Sequence, residues 1–394
     1  MNDQDIVIAA VARTPMGAMQ GVFSPLSAGE LGAAAIKAAV ERAQLKPDDV
    51  QEVIMGNCLP AGQGQAPARQ ATRGAGLPDS AGATTINKMC GSGLKAVMFA
   101  HDLIRAGSNQ VMVAGGMESM TNAPYLLPKA RGGYRYGHAM MYDHMAQDGL
   151  EDAYERGTAM GVFAERCVDR YAFSRQEQDA YSIESLRRAK LANEDGSFEF
   201  EIAPVSIAGK RETVTVSHDE QPAKGRPDKI PGLRPAFKKD GTITAANASS
   251  ISDGAAAVVV MSAAEAQRRG IQPIARILGH STHARLPAEF TIAPVYAIAS
   301  LLEKLSWRAA DVDLWEINEA FAVVTMAAMK EHGLSHDKVN IHGGACALGH
   351  PIGASGARIL ATLIGALRKT GGKTGIASLC IGGGEAVAVG IEML

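Results

Sequence analysis

An internal repeat constrains the fold of this chain more than any other feature. Residues 35–55 (AIKAAVERAQLKPDDVQEVIM) align without a gap with residues 297–317 (AIASLLEKLSWRAADVDLWEI). Both segments show the spacing of an amphipathic helix, followed by a short polar turn and an apolar strand. Each copy then has a glycine-rich turn leading into a helix, and a strand that ends in glycines. Three matching segments in the same order predict an α/β fold of two half-molecules, each with a mixed sheet and helices on both faces.

A segment of different character separates the two copies. It contains helical runs around 159–192 and a polar stretch rich in Pro, Gly and Lys before residue 248. We interpret it as an insertion that forms a loop domain, because functional insertions commonly lie above the active site of a scaffold. The predicted limits are 1–120 with 249–270 for the N-terminal half-domain, 121–248 for the loop domain and 271–394 for the C-terminal half-domain.

Composition excludes several classes of function. The net charge is −2, and no block of Lys or Arg indicates nucleic-acid binding. No run of 18 or more apolar residues predicts a membrane span, and the acidic start does not resemble a signal peptide. Five scattered cysteines fit reduced thiols better than disulfides, which indicates a cytoplasmic protein.

Two turns of the repeat carry the residue types of nucleophilic catalysis. Cys90, in NKMCGSG, precedes a predicted helix, and the N–H groups of a helix N-terminus favour a thiolate. His350, in GHPIG, occupies the equivalent turn of the second copy, so pseudo-twofold symmetry would bring the two turns together. Cys380, in CIGGG, ends the following strand. A thiol beside an imidazole base predicts a Cys–His nucleophile with a lowered thiol pKa.

Other kinds of site have weaker support. A zinc site would use His342, Cys346 and His350, but glycines between them argue against a regular ligand face. There is no CxxC redox pair, no GxxxxGK[ST] phosphate loop, and no GxGxxG after the first strand. We therefore predict no metal and no cofactor. The glycine-rich turns CGSG and CIGGG offer backbone N–H groups of the kind that would stabilise the oxyanion of acyl-thioester chemistry.

Several motifs together resemble the signatures of the thiolase family, in their usual order. They are NKMCGSGLKAV, AGGMESMTNAPY, NEAF, GGACALGHPIGASGAR and CIGGGEAV. The resemblance covers essentially the whole chain and is strongest to the branch that acts on acetoacetyl-CoA. It implies a duplicated αβαβα five-layer fold with an inserted loop domain, and an acyltransferase that condenses two acetyl-CoA molecules by a ping-pong mechanism. The alternative is a 3-ketoacyl-CoA thiolase of broader range, from β-oxidation or aromatic degradation.

The resemblance also implies residue roles. Cys90 would carry the acyl group, His350 would activate it, and Cys380 would be the acid/base that removes a proton from the second acetyl group. Asn318 of NEAF would fix a water in one oxyanion hole, and the amides of Cys90 and Gly382 would form the other.

For coenzyme A (CoA) and assembly, the resemblance implies three contact residues and a multimer. Ser249 would contact the pantetheine, and Arg226 and Lys229 would meet the adenosine diphosphate end. The partners are then acyl-CoA substrates and other copies of the chain. Residues 129–149 resemble the loop through which family tetramers associate, which predicts a homotetramer.

Overall fold

The computed structural model describes residues 2–209 and 212–394, and its regular elements follow the predicted repeat. The helices are α1 (Ala28–Arg42), α2 (Pro67–Gly74), α3 (Ser92–Arg105), α4 (Met160–Tyr171), α5 (Arg175–Glu194), α6 (Glu220–Lys224), α7 (Ala263–Arg269), α8 (Ala293–Leu305), α9 (Ala322–His332), α10 (Ala345–Leu348) and α11 (Ser355–Thr370). The strands are β1 (Ile6–Arg13), β2 (Gly17–Ala18), β3 (Glu52–Gly56), β4 (Gly82–Ile86), β5 (Val111–Ser119), β6 (Tyr125–Leu126), β7 (Tyr142–Asp143), β8 (Val205–Ala208), β9 (Thr213–Val216), β10 (Ser252–Ser262), β11 (Ala275–Ala284), β12 (Leu314–Ile317), β13 (Thr374–Ile381) and β14 (Glu385–Met393).

The two halves share one strand topology. The order is β4-β3-β5-β10-β1 in the first half and β12-β13-β14-β11 in the second. The pairing is parallel between β3 and β5 in the first half and between β12 and β13 in the second. The next two pairs in each half are antiparallel: β5 with β10 and β10 with β1, and β13 with β14 and β14 with β11. In the first half β3 also pairs with β4, and at the equivalent position of the second half there is a single parallel bridge between Trp315 and Val339. Three residues of β1 pair with three of β11 and join the halves into one strand order.

Helices complete five layers. On the outer side of the first half, α1 contacts β1, β5 and β10, and α8 contacts β11, β13 and β14 on the outer side of the second. Between the two halves lie α3 and α11, which contact each other and strands of both halves. The predicted duplicated αβαβα fold is thus confirmed.

The central helices approach closely because glycines lie at equivalent positions in them. A methyl group at Gly93 would lie 2.8 Å from the backbone nitrogen of Ala357, and one at Gly356 would collide with the backbone of Leu94. Any larger side chain there would push the halves apart. This close approach places the turns before α3 and α11 beside each other.

The inserted segment covers the second half, although it follows the first in sequence. Within it, α4 packs on α9 and α5 packs on α9 and α10. Its limits, like those of the half-domains, stay predictions. Among residues 2–209 and 212–394, no helix is both long and apolar enough to cross a membrane.

Candidate active site

The nucleophile candidate lies in a tight turn between β4 and α3. Met89, just before it, has a φ of 46°, a left-handed conformation that costs a non-glycine residue energy. The side chain of Cys90 is partly exposed to an internal cavity. Burial raises the pKa of its thiol to about 11, although the N–H groups of Gly382 and of Cys90 itself donate toward the sulfur and oppose that rise. Two backbone donors thus converge on the Cys90 sulfur.

The base candidate lies in the turn before α11, with its tautomer fixed by two neighbours. His350 Nδ1 lies 2.5 Å from Ser355 Oγ, and that hydroxyl donates to the Pro351 carbonyl at 2.9 Å. The hydroxyl oxygen therefore accepts from Nδ1–H, because the carbonyl can only accept. The side-chain amide of Asn318 lies 3.5 Å from Nε2. This leaves the Nε2 lone pair as the basic site.

Both groups are neutral in the free protein. Burial, followed by the charge of Arg358, lowers the pKa of His350 to about 3. Together with the raised pKa of Cys90, this favours a neutral thiol and a neutral imidazole over a Cys⁻–His⁺ ion pair at neutral pH. The lowered thiol pKa expected from the sequence is therefore wrong: burial outweighs the N–H groups of Gly382 and Cys90 that lower it.

The second cysteine lies behind the nucleophile. Cys380 is fully buried near the end of β13, in an apolar cluster with Phe163, Phe290 and Phe321. Burial raises its pKa well above that of a free thiol, and negative charge on Cys90 raises it further. The two thiols are therefore close enough to couple electrostatically, and they cannot readily both be thiolates.

One cavity of about 330 Å³ is lined by the nucleophile and base candidates, whereas Cys380 and Asn318 are not among its lining residues. Cys90, His350 and Gly382 line it together with Ser249. Met160 and three aromatic rings narrow it: Phe237, Phe290 and Phe321. A larger surface groove of about 770 Å³ runs along α1 and residues 203–206 and contains none of the predicted site residues.

The candidate contacts for coenzyme A divide into two groups. Ser249 lines the cavity. Arg226 and Lys229 are exposed and do not line it. Their segment is nevertheless connected to it, because Gln221 in α6 donates to Ser250 Oγ at 2.8 Å, and Ser250 is a lining residue.

Sequence reasoning missed two residues of the site, Ser355 and Glu118. Ser355 could have been found by its equivalence to Ser92 in the repeat. Glu118 is a fully buried carboxylate near the end of the buried strand β5. An acidic residue that ends an otherwise apolar strand was the available signal.

Within the described residues, the group able to share a metal ion is His101, Asp102 and His280. His101 and Asp102 lie toward the other end of α3 from the Cys90 turn. His342, Cys346 and His350, the zinc alternative raised from the sequence, form no such group in the described part of the chain.

Comparison with known proteins gives one family across the chain. The N-terminal domain model of thiolase matches residues 6–264, and the C-terminal domain model of thiolase matches residues 271–393. Acetyl-CoA acetyltransferase 2 of Arabidopsis thaliana is 48% identical over 397 residues, which cover 100% of this chain and 98% of that protein. The mitochondrial acetyl-CoA acetyltransferase A of Xenopus laevis is 49% identical, covering 99% of this chain and 92% of its own length. The crystal structure of Acat5 thiolase from Ascaris suum in complex with coenzyme A is 43% identical, with a TM-score of 0.94 over 99% of this chain and 100% of that one.

Proposed function

The chain belongs to the thiolase family, and from this premise we propose how it acts as an acetyl-CoA C-acetyltransferase. It is an acyltransferase whose substrates are CoA thioesters, and the broader 3-ketoacyl-CoA alternative is not favoured. The observation that carries the residue assignment is the shared cavity, where the Cys90 sulfur, His350 and the Gly382 amide face one space.

Acylation begins from the neutral pair. The Cys90 sulfur attacks the carbonyl carbon of acetyl-CoA while its proton passes to Nε2 of His350, the unprotonated nitrogen. The N–H groups of Cys90 and Gly382 stabilise the developing oxyanion. Because its pKa is raised, Cys380 starts as a thiol, so it can protonate the CoA sulfur as that group leaves.

Condensation uses the Cys380 thiolate that acylation produces. It takes a proton from the methyl group of the second acetyl-CoA, whose oxygen is held between His350 and a water on Asn318. The resulting carbanion attacks the acetyl-Cys90 carbonyl, and acetoacetyl-CoA leaves. Cys90 recovers its proton from His350, so both thiols and the imidazole end as they began.

The shape of the cavity supports a short acyl chain. Met160, Phe237 and Phe321 surround a space of about 330 Å³ beside the nucleophile. The test is to measure CoA-dependent cleavage of 3-ketoacyl-CoAs of four, six, eight and ten carbons. We expect kcat/KM to fall steeply for substrates of more than four carbons. Equal kcat/KM for the eight- or ten-carbon substrate would favour the degradative enzyme instead.

Binding of the CoA moiety extends this proposal to the loop segment. Ser249 would contact the pantetheine inside the cavity, and Arg226 and Lys229 would meet the phosphates outside it. Two observations support these contacts: the Gln221–Ser250 hydrogen bond connects their segment to the cavity, and both side chains are exposed, which leaves their cationic ends available to an anion. Arg226→Ala with Lys229→Ala should raise KM for acetyl-CoA several-fold without lowering kcat. No metal or further cofactor enters the proposed steps.

A homotetramer accounts for the apolar surface of residues 125–142. Side chains there are exposed to an unusual degree: Tyr125 62%, Tyr136 108%, Met140 68% and Met141 63%. Exposed apolar patches of this kind mark interaction sites, and we assign this one to other copies of the chain. Sedimentation of the wild type and of Tyr136→Ser/Met140→Ser should separate a tetramer from a smaller species.

The cytoplasm is the proposed compartment, because all five cysteines are free thiols. One relative is named as mitochondrial, so cell fractionation is the test of the proposed compartment.

A further inference from the structure

Glu118 connects the two halves at the catalytic turns. Its carboxylate accepts four hydrogen bonds, from the backbone amides of Cys58 (2.9 Å), Leu59 (3.1 Å) and Gly353 (2.9 Å), and from the side-chain amide of Asn57 (2.7 Å). Residues 57–59 follow β3 in the first half, whereas Gly353 follows His350 in the second. One buried side chain therefore bonds directly to the His350 turn and to the segment that follows β3 in the first half.

On the first side the connection continues to the nucleophile. The Cys58 thiol lies 3.2 Å from the Met89 carbonyl and 3.4 Å from Ser92 Oγ, the residues that flank the Cys90 turn. In the second half, the His350 turn packs tightly against the carboxylate, because a methyl group at Gly353 would lie 2.7 Å from Glu118 Oε2. Movement of the carboxylate would therefore shift Cys90 relative to His350.

We propose that Glu118 is a positioning residue that fixes the distance between the Cys90 turn and the His350 turn. The proposal rests on the function proposed above. A buried carboxylate costs free energy unless its oxygens are satisfied, and four donors satisfy this one. Because displacement of reacting groups by about 1 Å can cost roughly 100-fold in rate, a connection of this kind affects catalysis without touching the substrate.

The charge of Glu118 supplies a second, independent readout. Burial raises its pKa to about 7, while the amide hydrogen bonds oppose that rise. Its charge in turn raises the pKa values of Cys58 and Cys90, the titratable groups that face it. Loss of this charge should make Cys90 easier to ionise, an effect that a purely structural residue elsewhere would not have.

The test compares three variants by steady-state kinetics and by the pH dependence of Cys90 alkylation without substrate. Glu118→Gln places an NH₂ group against N–H donors and removes the charge. We expect kcat to fall roughly 100-fold with KM for acetyl-CoA within about threefold, and the alkylation pKa of Cys90 to fall. Glu118→Asp keeps the charge but shortens the side chain, so kcat should fall while the alkylation pKa stays near that of the wild type.

Glu165→Gln is the matched control. This buried carboxylate also accepts backbone amides, those of Thr242 (2.9 Å) and Ile243 (2.8 Å), but within the inserted segment. It should lower Tm and leave both kcat and the alkylation profile within about threefold of the wild type, the range expected of a buried substitution remote from the reacting atoms.

Two results would overturn the proposal: wild-type kcat in Glu118→Asp, or a kcat loss in Glu118→Gln no larger than in Glu165→Gln with an unchanged alkylation profile. If Glu118→Gln fails to fold, Glu118→Asp alone decides. A wild type that makes no acetoacetyl-CoA refutes the proposed function instead, and the alkylation profile still tests Glu118.

Discussion

The two halves of the molecule share a fold but divide the chemistry. The turn before α3 carries Cys90, and the turn before α11 carries His350. Each helix begins with a serine that serves its own turn. Ser92 Oγ donates to the Met89 carbonyl at 2.7 Å, and Ser355 Oγ accepts from His350. Equivalent positions thus shape the backbone in the first half and fix a tautomer in the second.

The ends of the equivalent strands differ in the same way. Near the end of β5 the side chain that matters is Glu118, whereas near the end of β13 it is Cys380. In the proposed mechanism the first half supplies the nucleophile, and Glu118 is the carboxylate that we propose holds its turn. The second half would supply the base, the second thiol and the amide of Gly382. Neither half alone could then complete the reaction, because acylation by this mechanism needs Cys90 from one and His350 from the other.

The largest expected effect comes from the thiol of the first half. Cys90→Ala should abolish both steps, with kcat falling on the order of 10⁶-fold, the scale of losing a catalytic nucleophile. Mass spectrometry after incubation with acetyl-CoA should show no added acetyl group (about 42 Da for a covalent intermediate). Cys167→Ala, which removes a buried thiol that does not line the cavity, should still acquire the label. An acetyl group on the Cys90→Ala protein would refute the assignment.

The thiol of the second half should affect condensation more than acylation, in which it only protonates the departing CoA sulfur. Cys380→Ser leaves a hydroxyl, a poor base near neutral pH, so acetoacetyl-CoA synthesis should fall by about 10²–10⁴-fold. Acetyl-enzyme should still form on Cys90, whereas exchange of acetyl-CoA methyl protons with D₂O should stop. Near-wild-type condensation by this variant would make His350 or another group the carbon base and would remove the division of roles between the halves.

The proposed roles of the two thiols come from the sequence, because the repeat and the motifs place Cys90, His350 and Cys380 in matched turns and strand ends. Their ionisation was not accessible. A helix N-terminus and a nearby histidine are local features that lower a thiol pKa, but burial is a property of the assembled fold and here dominates. Glu118 was missed for a similar reason, since its donors come from residues 57–59 and 353, which meet only after both halves pack.

Alkylation of the wild type tests the neutral pair directly. With the pKa of Cys90 raised to about 11, the reactive thiolate fraction should rise about tenfold per pH unit, or about 100-fold from pH 7 to pH 9. Iodoacetamide should label Cys90 before Cys58, Cys167 and Cys346, whose thiols also have raised pKa values and of which Cys58 and Cys167 are buried. A labelling rate that levels off near pH 6 or 7 would show an ion pair with His350 after all.

A smaller effect should separate the two serines. Ser355→Ala removes the acceptor of His350 Nδ1–H, so kcat should fall about two- to tenfold, the range that corresponds to one hydrogen bond of about 0.5–1.5 kcal/mol. Alkylation of Cys90 should be unchanged in that variant. Ser92→Ala should instead alter the alkylation rate of Cys90, because the Met89 carbonyl and the Lys88 amide lose their hydrogen-bond partner. Identical behaviour of the two variants would mean that the halves do not differ at these positions.

The smallest expected effect concerns helix ends far from the chemistry. In the first half, α1 begins with a capping box in which Ser27 and Glu30 bond reciprocally, whereas α8, its counterpart, has no side-chain cap. Ser27 is exposed, so its substitution loses the cap and little buried surface. Ser27→Ala should cost about 1 kcal/mol and Ser27→Gly only a few tenths. For a chain of 394 residues, 1 kcal/mol corresponds to a Tm lower by about 1 °C, so scanning calorimetry of both variants is needed to resolve it. Because α1 lies on the outer layer, kcat should not change; a drop in kcat would show that the outer helix also controls the turns where the halves meet.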